Sequence, residues 1–163
     1  MIVCKIDDYH EVNLSAMKFF LNDKKMKGIY VSFNHGQEKL WRQFESDSID
    51  VSKLYIVDAI SNVTKYVRNT ENFTYIGNPK MLTKLSIVIS DKLNTGKYDF
   101  LYFDSISTML IYNDIDMVGR FSHFVFNKLS SMGIKVVIIS LDDEKSKKIS
   151  PMISHFCDKC IRL

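Results

Sequence analysis

Three aspartates and a serine carry the chemistry this sequence offers most directly. Asp7 and Asp8 follow the apolar run Ile2 to Ile6, and Asp104 with Ser105 closes the run KYDFLYFDS, which leads into an apolar, helix-like ISTMLIYN. A carboxylate at the end of a buried parallel strand is placed to reach the magnesium of a bound nucleotide. Three carboxylates that converge would hold a divalent cation through hard oxygen ligands. The competing reading leaves Asp7, Asp8 and Asp104 as solvated loop acids. A Gly-rich loop ending in Lys-Ser/Thr, whose backbone N–H groups cradle phosphates, occurs nowhere in the chain.

Other residues with reactive side chains form weaker patterns. Cys157 and Cys160 with His155 have the look of metal ligands, but no second CxxC accompanies them. On an extended strand, residues three apart point to opposite faces, so both are expected to be core cysteines. The segment DDEKSKK from Asp142 to Lys148 nearly balances its charges and reads as a solvated loop rather than a nucleic-acid contact. Trp41 and Phe44 beside Arg42 either anchor a partner or pack their helix on the sheet. His123 lies in an aromatic helix, where a satisfied core or surface histidine is the default.

The elements that must position these groups follow from periodicity. Strand-length apolar runs alternate with helical spacing, the pattern of a parallel sheet covered by helices. Expected strands are Ile2 to Ile6, Gly28 to Phe33, Leu54 to Asp58, Thr74 to Ile76, Tyr98 to Asp104, Ile134 to Ser140 and Lys159 to Leu163. Expected helices are Leu14 to Lys25, Glu38 to Glu45, Lys80 to Asn94, Ile115 to Met132 and Glu144 to Phe156, with Asn13 and Asp114 as N-caps. In the fourth of these, Phe121, Phe124, Val125 and Leu129 form one core-facing stripe. The fold class is therefore α/β, a three-layer sandwich with a mostly parallel central sheet, in one domain spanning 1–163. Ligands of such sheets collect beyond the carboxyl ends of the strands. That rule selects Asp7, Asp8, Asn34, His35, Asp58, Asp104, Ser105, Ser140, Asp142 and Asp143.

Composition narrows the class. Hydrophobic residues make up 46% and charged residues 25% of the 163, and the net charge is +3, the balance of an ordinary globular domain. Acids and bases interleave rather than forming the basic stripe of a nucleic-acid binder. No apolar run reaches the roughly 20 residues needed to span a bilayer. Lys5, Asp7 and Asp8 come too early for a signal-peptide core, so a cytoplasmic location is expected. Three cysteines argue against a disulfide framework.

The order GIYVSFNHGQEKL, LYIVDAIS, YDFLYFDSISTMLIYN, GIKVVIISL and CDKCIRL resembles the RecA superfamily of ATPases, in its KaiC-like archaeal and bacterial branch. The resemblance implies a RecA-like core and, in working members, an ATP site with assembly into rings or filaments. It implies that Asp104, with Ser105, corresponds to the magnesium-binding Walker B position. The chain departs from the family between the first strand and its helix, where Asp7, Asp8, Tyr9, His10, Glu11, Val12 and Asn13 offer three acids and neither glycine nor lysine. Carboxylates about 4 Å from a phosphate at an effective dielectric near 20 cost on the order of 4 kcal/mol per charge pair. It departs again at the end of the second strand, where working members carry a glutamate that activates water. Asn34 stands there, and an amide cannot act as a general base.

The expectation is thus a degenerate, non-catalytic member: a regulatory or protein-interaction module that self-associates or docks on a protein partner, with no cofactor. Two alternatives stay open. One is a receiver-like phosphoacceptor holding Mg²⁺ through Asp7, Asp8 and Asp104, with Ser140 as the sensing hydroxyl. Its difficulties are the extra elements between Asp58 and Thr95 and the lack of a lysine at the end of the last strand. The other is a recombinase-like accessory protein touching nucleic acid near Lys145 to Lys148.

Overall fold

The computed structural model describes residues 1–61 and 70–163. Runs that are apolar on both faces become the central strands. β2 (Gly28–Ser32), β3 (Leu54–Asp58) and β5 (Phe100–Asp104) are buried along their whole length, as parallel strands covered on both faces must be. With β1 (Ile2–Cys4), β4 (Phe73–Tyr75), β6 (Lys135–Leu141) and β7 (Ile161–Arg162) they form one seven-stranded sheet, ordered β4-β3-β2-β5-β6-β1-β7. Every pairing between these strands is parallel. The α/β sandwich expected from periodicity is the observed fold.

Six α-helices cover the sheet among the described residues: α1 (Tyr9–Met17), α2 (Gln37–Ser46), α3 (Leu82–Leu93), α4 (Ile106–Tyr112), α5 (Ile115–Ser131) and α6 (Glu144–Ser154). Strand side chains alternate between faces, so each strand feeds two cores. Tyr30, Ile56, Phe100 and Tyr102 pack against Leu14 and Met17 of α1 and Leu40 and Phe44 of α2. Ile29, Val31, Leu101 and Phe103 pack against Leu85, Ile89, Val118, Val125 and Ile149 of α3, α5 and α6. From β2 the chain moves to β3 and β4 on one side, whereas β5, β6 and β7 lie on the other. The reversal falls between β2 and β5, and a crevice at such a point is where open sheets place their ligands.

The register of that central pair runs from Gly28 opposite Phe100 to Ser32 opposite Asp104. A Cβ at Gly28 would lie only 2.2–2.6 Å from three atoms of the Phe100 ring, which is fully buried and stacked on Phe20 at 4.9 Å. Gly28→Ala is expected to cost about 1–3 kcal/mol by overpacking, read from urea unfolding. Trimming the ring as well, in Gly28→Ala with Phe100→Leu, is expected to recover part of that loss.

Several boundaries differ from the sequence reading. The first helix begins at Tyr9 rather than Leu14, with Asp8 at the N-cap, and continues as a π-helical segment, Lys18–Asp23. Asn13 is therefore no cap. It is buried inside α1, with its amide on the Tyr30 hydroxyl at 2.8 Å. Asp114 does stand at the N-cap of α5, without a side-chain hydrogen bond. The ISTMLIY segment is a separate helix, α4, capped by Ser105, which accepts from the Thr108 amide. Phe124 lies outside its expected stripe and is 58% exposed. Phe44 is buried in the core, while Trp41 only packs against it and donates to Glu45 at 2.9 Å. The DDEKSKK segment is no loop, because Asp143 caps α6 by accepting the Ser146 amide at 2.7 Å.

Candidate functional site

Alternation along β2 and β5 turns Tyr30, Tyr102 and Asp104 toward the α1 side of the sheet. Asp104 has no exposed surface. Two of its partners come from the neighbouring strand and its continuation: the Tyr30 hydroxyl donates to Oδ2 at 2.5 Å, and the Asn34 amide donates to Oδ1 at 2.8 Å. The third comes from the first residue of α1, whose hydroxyl, that of Tyr9, also donates to Oδ1. Its reach is considerable, because β6 lies between β1 and β5 and two strand spacings amount to about 10 Å.

A second ring of contacts holds these donors. The Asn34 amide also reaches the Tyr9 hydroxyl at 2.9 Å, and the Thr108 hydroxyl donates to the Asn34 carbonyl oxygen. Asn13 donates to Tyr30. Ser105, joined to Asp104 by a cis peptide, is buried and shares a hydrogen bond with the Thr108 hydroxyl at 3.0 Å. Tyr102 stacks on Tyr30 with centroids 5.1 Å apart, and its buried hydroxyl has no partner among the described residues.

Electrostatics follow from burial. Loss of solvent pushes the Asp104 carboxyl up to about 6, and the hydrogen bonds from Tyr30, Tyr9 and Asn34 restrain the rise. The same burial, with the Asp104 charge beside them, drives the Tyr9 and Tyr30 hydroxyls well above the ordinary phenol range. Both hydroxyls therefore stay protonated and donate at any physiological pH. The arrangement stores a carboxylate among fixed donors and leaves the chain's own groups where an external ligand would bind.

The other predicted site residues are dispersed. Asp7 and Asp8 are exposed in the turn before α1, and neither joins the hydrogen bonds around Asp104. Among the described residues no group of three or more His, Cys, Asp or Glu side chains is arranged to hold a metal. Ser140 is buried in a serine cluster with Ser107 and Ser146. Asp58, 2% exposed, accepts four donors: the amides of Ile60, Ser61 and Gln37 and the Ser61 hydroxyl. It ties the start of α2 to the turn after β3. A cavity of about 460 Å³ opens beside it, lined by Gly36, Lys39, Arg42 and Tyr75. His35, half-buried, is held below its usual range by burial and then by Lys39.

Sequence reasoning passed over Tyr9 and Tyr30 as partners of Asp104, and Thr108 as the partner that holds Asn34. For Tyr30 a signal existed, since Tyr30 and Ser32 share the spacing of Tyr102 and Asp104 in an adjacent strand. For Tyr9 there was none, because its role depends on where α1 starts. The cysteines also differ from expectation: Cys157 is only partly buried and Cys160 is exposed, in the turn ahead of a strand that begins at Ile161.

Over residues 13–163 the sequence matches the family described as ATPase: KaiC. The fold is similar to the crystal structure of a KaiC-like protein from the hyperthermophilic archaeon Pyrococcus horikoshii OT3, with a TM-score of 0.72 at 13% identity. The superposition covers 99% of this chain and 68% of that one, and at such identity it speaks for the fold alone. No curated protein sequence matches.

Proposed function

The chain belongs to the KaiC family of ATPases, and from that premise we propose that it is a member that has given up nucleotide chemistry and serves as a regulatory or protein-interaction module. The observation that carries this reading is the state of Asp104. A magnesium ion demands near-octahedral oxygen ligands at about 2.0–2.1 Å, and the oxygens at the family's metal-binding position already accept from Tyr9, Tyr30 and Asn34 inside a fully buried pocket. As arranged, these residues fit a magnesium nucleotide poorly. Two further features support the reading. The family match begins at residue 13, downstream of a turn with acids and no glycine, and Asn34 offers an amide where a base would be needed.

The interaction half of the proposal rests on apolar side chains kept in solvent. Ile87 of α3, Ile111 of α4 and Phe124 of α5 are 55%, 64% and 58% exposed, all on elements of one helical layer. Less supports the alternatives. A phosphoacceptor must meet its donor, and Asp104 is sealed. The lysines of the nucleic-acid reading sit on α6, where Lys147 pairs with Glu144 at 2.9 Å.

Mg-ATP should leave the melting temperature unchanged. A ligand at a hundredfold excess over its Kd adds about 2.7 kcal/mol of stability, which a thermal shift detects readily. Saturable binding in the micromolar range, or hydrolysis lost in Asp104→Asn, would overturn the proposal. Sedimentation equilibrium tests the other half: the wild type is expected to associate and Phe124→Asp with Ile111→Asp to be monomeric.

A further inference from the structure

The amino edge of the sheet, opposite the Asp104 end, carries a row of lysines. Lys53 and Lys27 immediately precede β3 and β2, Lys97 stands just ahead of β5, and Lys135 opens β6, four strands that are neighbours in the sheet. The register sets Gly28 beside both Leu54 and Phe100, and Phe100 beside Lys135, so the row crosses the strands at one level with about 4.8 Å from each to the next. Lys27, Lys53 and Lys97, joined by Lys92 from the last turn of α3, line one cavity of about 430 Å³, with Glu71 as the acid in its described lining. The fold holds two of the four in place. Lys53 is bound to Asp50 at 2.5 Å, and the Lys92 ammonium lies 4.2 Å over the buried Tyr55 ring, which packs in turn against Tyr98 at 6.0 Å. Asp99 is turned to the backbone, where its Oδ2 accepts from the Lys27 amide at 2.8 Å. Among the described residues Lys27, Lys92 and Lys97 form no ion pair. Charges of one sign gathered on a concave wall focus the field toward an incoming anion.

We propose, resting on the reading of the chain as a protein-interaction module, that this lysine cleft at the amino edge of β3, β2 and β5 docks an acidic, Glu- or Asp-rich segment of a partner protein. Lysine ammonium groups are compact point charges on flexible stems, and Lys27 and Lys97 keep theirs in solvent. Acids at alternate positions of an extended segment recur about every 7 Å, within reach of lysine stems rooted on adjacent strands. Asn72, also in the lining, offers a side-chain amide that both donates to and accepts from a peptide backbone. A nucleic acid fits less well. Its unbroken line of phosphates would meet Glu71 and Asp50, and the described lining holds no arginine to grip phosphate with two parallel bonds. The rings of Tyr55 and Tyr98 engage each other and Lys92 rather than standing as flat platforms for bases.

Fluorescence anisotropy of a short labelled peptide alternating Glu and Ser, titrated with the full chain, tests the cleft. The expected result is saturable binding that fades as salt rises from about 0.05 M to about 0.3 M, and no binding of the same peptide with Gln for Glu. Lys27→Glu with Lys97→Glu should weaken binding about tenfold or more, while Lys145→Glu with Lys148→Glu, the same charge change on exposed positions of α6, should stay within about twofold of the wild type. Absence of binding or equal loss in both double variants would overturn the proposal. So would an oligothymidylate or Mg-ATP held through Lys27 and Lys97 in place of the peptide. Self-association that is lost in Lys27→Glu with Lys97→Glu would overturn it too, by assigning the cleft to a second copy. The two readings fail separately: Mg-ATP binding that persists in that variant removes the interaction module alone, and a peptide that does not bind removes the cleft alone.

Discussion

Replacing Asp104 by Asn is expected to remove a pH dependence from the stability of the fold. The Asp104 carboxyl is raised from an ordinary 3.8 to about 6 in the folded chain, so folding favours its protonated form. Stability from this group is fully present below about pH 4 and is lost as the pH rises through about 6. A shift of about 2 units corresponds to about 3 kcal/mol across that window. Urea unfolding of wild type and Asp104→Asn between about pH 4 and pH 7 measures it, because all other acids contribute equally to both and cancel in the difference. The wild type should lose about 3 kcal/mol relative to the variant over the window. A difference that stays flat would show that the carboxylate is solvated in the folded protein. Tyr30→Phe provides a second check, since removing a donor from the carboxylate should move the window upward.

The second large effect is expected at Asp58. Its two oxygens hold three amides and a hydroxyl at the junction of β2, β3 and α2, and hydrogen bonds to an ionised group contribute about 1.5–3 kcal/mol each, without simple additivity. Asp58→Ala strands four donors in a partly buried place and is expected to cost about 3 kcal/mol. For a chain of this size that is a fall in melting temperature of roughly 6–12 °C. Amide exchange locates the damage: Gln37 and Ser61 should lose protection while the Phe100–Asp104 strand keeps it. Uniform loss of protection would mean that Asp58 supports the whole sheet rather than one junction.

Much of the architecture was legible because parallel strands buried on both faces announce themselves as apolar runs. Leu54 to Asp58 was readable to the residue, and the strands ending near Asp104 and Ser140 nearly so. The first helix was not legible from local pattern. Its opening turn, Tyr9 to Val12, carries Glu11 and little apolar periodicity, and it forms where Tyr9 can place its hydroxyl on Asp104, a partner 95 residues away. The candidate site divides in the same way. Asp104 and Asn34 stand out as strand-end residues of β5 and β2, but which groups fill the space around them depends on the path of α1 across the sheet. The cysteine turn was misjudged for a related reason, since extended geometry was assumed for residues that α6 keeps coiled as far as Cys157.

Among the described residues the two outermost strands of the sheet are short, three residues in β4 and two in β7. A sheet edge recruits other chains through its row of free amides and carbonyls, and two or three residues offer too few of them to template a foreign strand. At the β7 end, Arg162 also engages Asp142 at 3.1 Å, which sets a charged pair on the flank that an incoming strand would meet. Short edges of this kind disfavour edge-to-edge growth, which leaves the helical faces as the surface on which the proposed assembly would form.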